Sequence, residues 1–211
     1  NSQELVFDGS SNYKWFTDPY FHDGRMIISA GKLASDGKNV AFSDMFFFNP
    51  EDRSAEKLPL SPQNFHFMYP KFNGKWLVYL DAKIDEGGAI MAVDLTASPL
   101  KAVKVKDIYS GQPEPFLSDN YVAFTDRTGT TKDKLFVYDL TTMESTVVAM
   151  FTNSVYGQSK PFIADSTLIW ADSATSSGSS DTSVLNYIYI NSSTVKSVNT
   201  GTFVHDPECN R

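Results

Sequence analysis

Tyr69 to Asp81 reads YPKFNGKWLVYLD and Pro113 to Asp126 reads PEPFLSDNYVAFTD: a proline, a short polar turn, then an apolar β-prone run that ends in an acid. The same order of parts follows Pro19, as YFHDGRMIISA, and Pro161, as FIADSTLIWAD. Five anchor prolines, Pro19, Pro70, Pro115, Pro161 and Pro207, stand 51, 45, 46 and 46 residues apart. A period of that length, made of short apolar runs separated by turns, is the period of a β-propeller blade. The expected fold class is therefore all-β, a β-propeller of four-stranded blades of about 46 residues. Four repeats are visible, at about 18–60, 69–106, 114–149 and 160–199, in one domain covering 1–211, with terminal pieces of a further blade.

Nine residues after each of the first four anchors lie Ile28, Tyr79, Phe124 and Trp170, as the core-facing position of an inner strand requires. Two positions on come Ala30, Asp81, Asp126 and Asp172, the acids being expected where that strand ends. A second apolar run follows in each repeat and ends at Asn49, Asp94, Asp139 or Asn191, residues that reverse a hairpin by an Asx turn. Outer strands are expected at Ala55, Lys101, Ser145 and Val195, more alternating and more charged than the runs before them, alternation with lysine being what protects an exposed edge. No window of three helical turns carries apolar residues at helical spacing. Glu4 to Phe7, ELVF, reads as the outer strand of a preceding blade, and HDPECNR stops where a fifth would begin. The expectation is part of a larger propeller; the alternative is a four-bladed body with a spare N-terminal strand, or a fifth blade completed by another chain, with oligomerisation or loss of stability through an open end.

With 41% hydrophobic, 14% aromatic and 20% charged residues, the chain is too apolar to remain disordered. A formal charge of -7 argues against nucleic acid and against an anionic membrane surface, which reward clustered cations. No stretch nears the roughly 18 apolar residues of a spanning helix, so no membrane insertion is expected. The single cysteine, Cys209, precludes an intrachain disulfide, and His22, His66 and His205 are scattered. Sparse cysteine beside abundant Ser, Thr, Asn and Asp leads to the expectation of an extracytoplasmic protein, secreted or in the cell envelope of a bacterium.

The pattern of proline, Asn/Asp/Gly turn, apolar strand, hairpin loop and apolar strand ending in DL is similar to TolB-like and related β-propeller repeats. The resemblance runs from about Asp18 to Val198 and is carried best by YPKFNGKWLVYLD with IMAVDLT and by PEPFLSDNYVAFTD with LFVYDLT. It implies a binding or gating role, since such repeats occur in envelope-associated binding proteins and in the non-catalytic propeller domains of some serine peptidases. A non-enzymatic binding module with a protein or cell-surface glycan partner, and no cofactor, is the expected function. TDPYFHDG and PEPFLSDN also resemble the Asp-Pro and Glu-Pro segments of five-bladed arabinanase-type glycosidases. That likeness implies Asp18 and Glu114 as a base and acid pair, about 5 to 9.5 Å apart. Tyr69 stands where that family has a supporting Asp.

Two further constellations are candidates. Asp81, Asp126 and Asp172, with Asp85 and Ser180, could ring a mouth and hold a cation, although strand-end acids ordinarily form turns and no DxDxDG loop is present. Aromatic residues before the anchors, Tyr13, Trp15, Phe65, Phe67 and Tyr69, with Tyr109 and Tyr156, are either a binding platform on lead-in loops or wedges between blades. There is no GxSxG nucleophile and no phosphate-binding glycine loop.

Overall fold

The computed structural model describes residues 13–37, 40–62, 66–83, 87–109, 113–126, 133–151, 159–175 and 182–207. Phe65, Asp85, Tyr156, Ser180 and the ELVF segment lie outside them. The described residues form sixteen strands and no helix: β1 (Trp15–His22), β2 (Arg25–Leu33), β3 (Val40–Phe48), β4 (Ala55–Lys57), β5 (His66–Phe72), β6 (Trp76–Lys83), β7 (Gly87–Asp94), β8 (Ala102–Ile108), β9 (Phe116–Ser118), β10 (Tyr121–Asp126), β11 (Lys134–Asp139), β12 (Glu144–Met150), β13 (Phe162–Ala164), β14 (Thr167–Ser173), β15 (Ser183–Tyr189) and β16 (Lys196–Asn199). They make four sheets of four strands, each in sequence order, and one sheet corresponds to each repeat. The chain divides into two compact units, 1–107 and 108–211, the first built on the β1–β4 and β5–β8 sheets and the second on the β9–β12 and β13–β16 sheets.

The turn chemistry read from the sequence is present. Asn49 Oδ1 accepts the Glu51 N–H at 3.0 Å, Asp94 Oδ1 the Thr96 N–H at 2.9 Å, and Asp139 Oδ1 the Thr141 N–H at 2.7 Å. In the fourth repeat Ser192 makes the equivalent contact, its Oγ accepting the Thr194 N–H at 3.1 Å. The first hairpin of the first repeat closes on Asp23 and Gly24, both at positive φ, with His22 opposite Arg25. Two residues in that conformation match the natural twist of a hairpin.

The structure corrects the strand order expected from the anchors. The runs containing Tyr79, Phe124 and Trp170 are second strands, flanked on both sides, because a further strand precedes each two-residue turn. In the first two repeats that strand contains the anchor proline itself. Pairing jumps from Thr17 to Tyr20 in β1 and from Met68 to Lys71 in β5, so Asp18-Pro19 and Tyr69-Pro70 are bulges. A proline at a bulge removes no ladder hydrogen bond, which is why it could stand inside a strand that its presence argued against. Asp126 ends β10 as expected, whereas Asp81 is buried inside β6, opposite Phe67 and Ala89, and does not end the strand.

Each unit is held by apolar packing between its two sheets. In the first, Ile27, Met45 and Phe47 of one sheet meet Phe72, Leu77, Tyr79 and Met91 of the other. Phe47 and Phe72 meet edge to face at 4.9 Å, and Phe67 and Tyr79 at 5.0 Å. In the second, Leu135, Val137 and Phe151 pack with Leu168, Trp170 and Ile188. Gly88 in β7 lies so close to β6 that a Cβ there would collide with the Asp81 carbonyl oxygen and sit 2.6 Å from Ala82 Cα. Neither is a flexible side-chain tip, so the strands would have to separate. Gly88→Ala should destabilise the chain by about 2 kcal/mol or more, read as a lowered midpoint in urea unfolding; an unchanged midpoint would mean that β6 and β7 are not this close.

Candidate functional site

The bulges of β1 and β5 bring the anchor residues of neighbouring repeats together. Asp18 Oδ2 accepts the Tyr69 N–H at 3.2 Å. The second unit repeats the arrangement: Asp206 Oδ1 accepts the Lys160 N–H at 2.6 Å, and Lys160 Nζ lies 2.8 Å from Glu114 Oε2. Ser159 Oγ adds a further tie by accepting the Asp206 N–H at 2.8 Å. Every residue in these contacts either precedes an anchor proline or adjoins one that does. Asp18, Tyr69 and Asp206 have φ of 53°, 50° and 51°, the left-handed region that a residue before proline avoids. Such a conformation costs about 1–3 kcal/mol and persists only where the surroundings hold it. Here the hydrogen bonds between repeats do so. Asp18 and Glu114, the pair implied by the glycosidase likeness, thus belong to separate units and each is engaged with its neighbouring repeat.

In the first unit the same bulges open a cavity of about 140 Å³. Trp15, Asp18, His66, Phe67, Met68 and Tyr69 line it, with Thr17, Gly31 and Ser43 completing the wall. Trp15 is at the rim with 52% of its surface exposed, while Phe67 is 1% exposed and serves both cavity and core. The Phe67 N–H donates to Ser43 Oγ at 2.7 Å, drawing β5 onto β3 and fixing the back of the cavity. Since liquid water occupies about 30 Å³ per molecule, the space takes a few waters or one compact side chain.

Three of the aromatic residues singled out in the sequence, Trp15, Phe67 and Tyr69, therefore share one cavity, on strands where lead-in loops had been expected. Tyr13 does not join them. Its ring lies edge to face on Phe46 at 5.2 Å and its hydroxyl donates to Asp44 Oδ2 at 2.5 Å. Lys57 Nζ reaches the same oxygen at 2.8 Å and Lys32 Nζ at 3.6 Å. Burial, the hydrogen bond to Asp44 and its charge push the Tyr13 hydroxyl up to about 12. Burial works to raise the Asp44 carboxyl, but the bonds from Lys57 and Tyr13 and the two lysine charges outweigh it and hold it below the usual range. Tyr109 is 73% exposed, just beyond β8.

Asp81 and Asp126 are buried and Asp172 half-buried, and among the described residues no three His, Cys, Asp or Glu side chains are grouped to hold a metal ion. Ser43, His66 and Met68 are cavity residues that the sequence did not disclose. The alternation of β5 could have offered His66 and Met68, had HFMYPKF been read as a strand through its proline.

No protein-family model and no curated protein sequence matches the chain. Solved structures do. The β-propeller domain of the Trilobed protease from Pyrococcus furiosus aligns with a TM-score of 0.62 over 88% of this chain, at 11% identity. Pyrococcus horikoshii acylaminoacyl peptidase aligns at 0.61 over 90%, and TolB from Acinetobacter baumannii at 0.55 over 96%, both at 12% identity. The fold is that of a TolB-like β-propeller. At such identities the likeness is one of fold alone, and the chain spans 57%, 33% and 47% of these three structures.

Two outcomes follow. Asp18→Ala, which loses the acceptor and keeps the strained φ, should cost about 1–2 kcal/mol in chemical denaturation, with Asp18→Asn retaining most of the stability; equal loss in both would show that the charge and not the hydrogen bond is the tie. Burial lowers the His66 pKa below its ordinary 6.5, an effect the Asp81 charge only partly offsets. The unfolded chain then binds a proton that the folded chain refuses, so stability is complete above about pH 6.5 and falls as pH drops toward the depressed value. His66→Gln should flatten the thermal midpoint between pH 7 and 5; an unaltered slope would assign it to other groups.

Proposed function

We propose that this chain is a non-enzymatic binding module on a β-propeller scaffold, and that its first unit takes a protein partner by a single apolar side chain seated in the Trp15–Tyr69 cavity. The observation that carries this reading is the convergence of Trp15, Phe67, Met68 and Tyr69 from two repeats onto one opening. Aromatic side chains bury much area for little lost rotamer freedom, and they and Met are enriched at protein interfaces. A protein side chain is favoured over a sugar by the size of the space and by its polar groups. Asp18 Oδ2 and Ser43 Oγ already accept backbone N–H groups, whereas a sugar asks for several hydrogen bonds of its own. The engagement of Asp18 and Glu114 between repeats favours a structural role for both over an acid and base pair. Sparse cysteine beside abundant Ser, Thr, Asn and Asp favours a place outside the cytoplasm, in the envelope or exterior of a bacterium.

A second reading is the propeller portion of a longer serine peptidase. It is supported by the fold likeness to the propeller domain of the Trilobed protease and by the share of acylaminoacyl peptidase that the chain spans. In that case the cavity would face substrate peptides, and the nucleophile would belong to another domain. The sequence of the native gene product beyond this chain separates the two: a hydrolase domain there favours the second reading, and further blades alone favour the first.

The binding reading is tested by capture from envelope extracts with the wild-type chain and Trp15→Ala. Trp15 is half exposed, so its loss should leave the thermal midpoint within about 2 °C while reducing capture of the identified partner at least tenfold. A fall in midpoint with capture unchanged would make Trp15 a packing residue.

A further inference from the structure

The four outermost strands are not protected alike. β4 is AEK, β8 is AVKVKDI and β16 is KSVN, each carrying lysine along the edge, whereas β12 is ESTVVAM, with one charge at its first residue. An edge without lysine or proline is a template for another strand. The edge is also apolar in places: Val147 is 47% exposed and Met150 59%. A bulge at Val148, between the partners Leu135 and Phe136, ends the regular pairing, so the uninterrupted edge is Glu144–Val147.

A groove of about 430 Å³ in the second unit joins this edge to the turn between β15 and β16. Its floor is apolar, with Val137, Val148, Ile188 and Ile190, and its rim carries hydroxyl groups from Thr142 to Ser193. The volume falls within the roughly 300–1,000 Å³ of ligand-binding clefts. Asp139 and Glu144 stand side by side at one end as a cross-strand pair. The described lining contains no Lys, Arg or His.

We propose that this groove receives an extended segment of a partner protein, which adds as a fifth strand along Glu144–Val147, lays an apolar side chain over Val137 and Ile188, and sets a Lys or Arg beside Asp139 and Glu144. Backbone pairing supplies affinity in such strand addition, and the alternate side chains supply selectivity. Two like charges opposite each other on adjacent strands are unfavourable in the free protein. A cation placed between them relieves that repulsion, and this is the argument for a basic occupant. The site is separate from the Trp15 cavity, and its failure would leave the reading of that cavity untouched.

The test is a titration of the full chain with a fluorescent acetylated peptide of alternating Val and Thr flanked by lysines. Saturable binding is expected. Val147→Lys, which gives β12 the protection that β8 has, should weaken binding at least tenfold without lowering the thermal midpoint, and Ser145→Lys serves if that variant fails to fold. Glu144→Lys should reverse the preference from the lysine-flanked peptide to a glutamate-flanked one. Absence of binding, equal binding by Val147→Lys, or equal binding of a backbone N-methylated peptide overturns the proposal. Dimerisation that depends on concentration and disappears in Val147→Lys, without peptide binding, also overturns it by assigning the edge to a second copy of the chain.

Discussion

Each four-stranded sheet of this protein is apolar on both faces, and that constraint organises everything else. In β6, Leu77 and Tyr79 face one way and Val78 and Leu80 the other, yet all four are buried. A sheet with two apolar faces is not stable alone and must be covered on each side, so the repeat is viable only as a neighbour of other repeats. The density of large side chains between sheets follows from this. Within the first unit the Phe47–Phe72 contact crosses from one sheet to the other, and Tyr20 and His22 add edge contacts to Phe72.

Apolar packing is non-directional and leaves the sheets free to slide. The anchor residues provide the direction. A carboxylate on one repeat meets the main chain or the cation of the next, as Asp18 does with Tyr69 and Asp206 and Glu114 do with Lys160. To reach across, the backbone leaves its ladder at a bulge and adopts a left-handed turn before proline, a local cost that the packing on either side sustains. The cavity of the first unit is a by-product of the same device. Where two strands bulge toward each other they cannot also close, and the space between them is lined by whatever side chains the bulges carry. Here Asp18 and Tyr69 of the bulges line it, together with Trp15 and Met68 from the paired strand residues beside them.

Much of this was legible in advance. The anchor spacing gave one sheet per repeat among the described residues, and the Asn and Asp residues at strand ends gave the turns, down to the Asx hydrogen bonds of Asn49, Asp94 and Asp139. The strand through Pro19 and Pro70 was not legible, because proline signals a break and only its pairing partner reveals a bulge. The aromatic pattern of Phe67 and Tyr69 accordingly points to a lead-in loop, whereas both stand in β5. Ser43 has no sequence signal and His66 reads only as one of three scattered histidines, since nothing in their own neighbourhoods marks them as facing a common space. β12 shows the same limit from the other side: its lack of lysine is plain in the sequence, but the groove beside it exists only once Ile188 and Ile190 of another repeat are brought near.

The sequence by itself determined the all-β class, the length of the repeat and its turns, because hydrophobic alternation and Asx chemistry act over a few residues and need no distant partner. Tertiary structure alone decided which residues share the cavity, which acids tie one repeat to the next and which edge stands beside a groove. Those contacts join residues 24 to 51 positions apart, and no local pattern encodes which of them will meet.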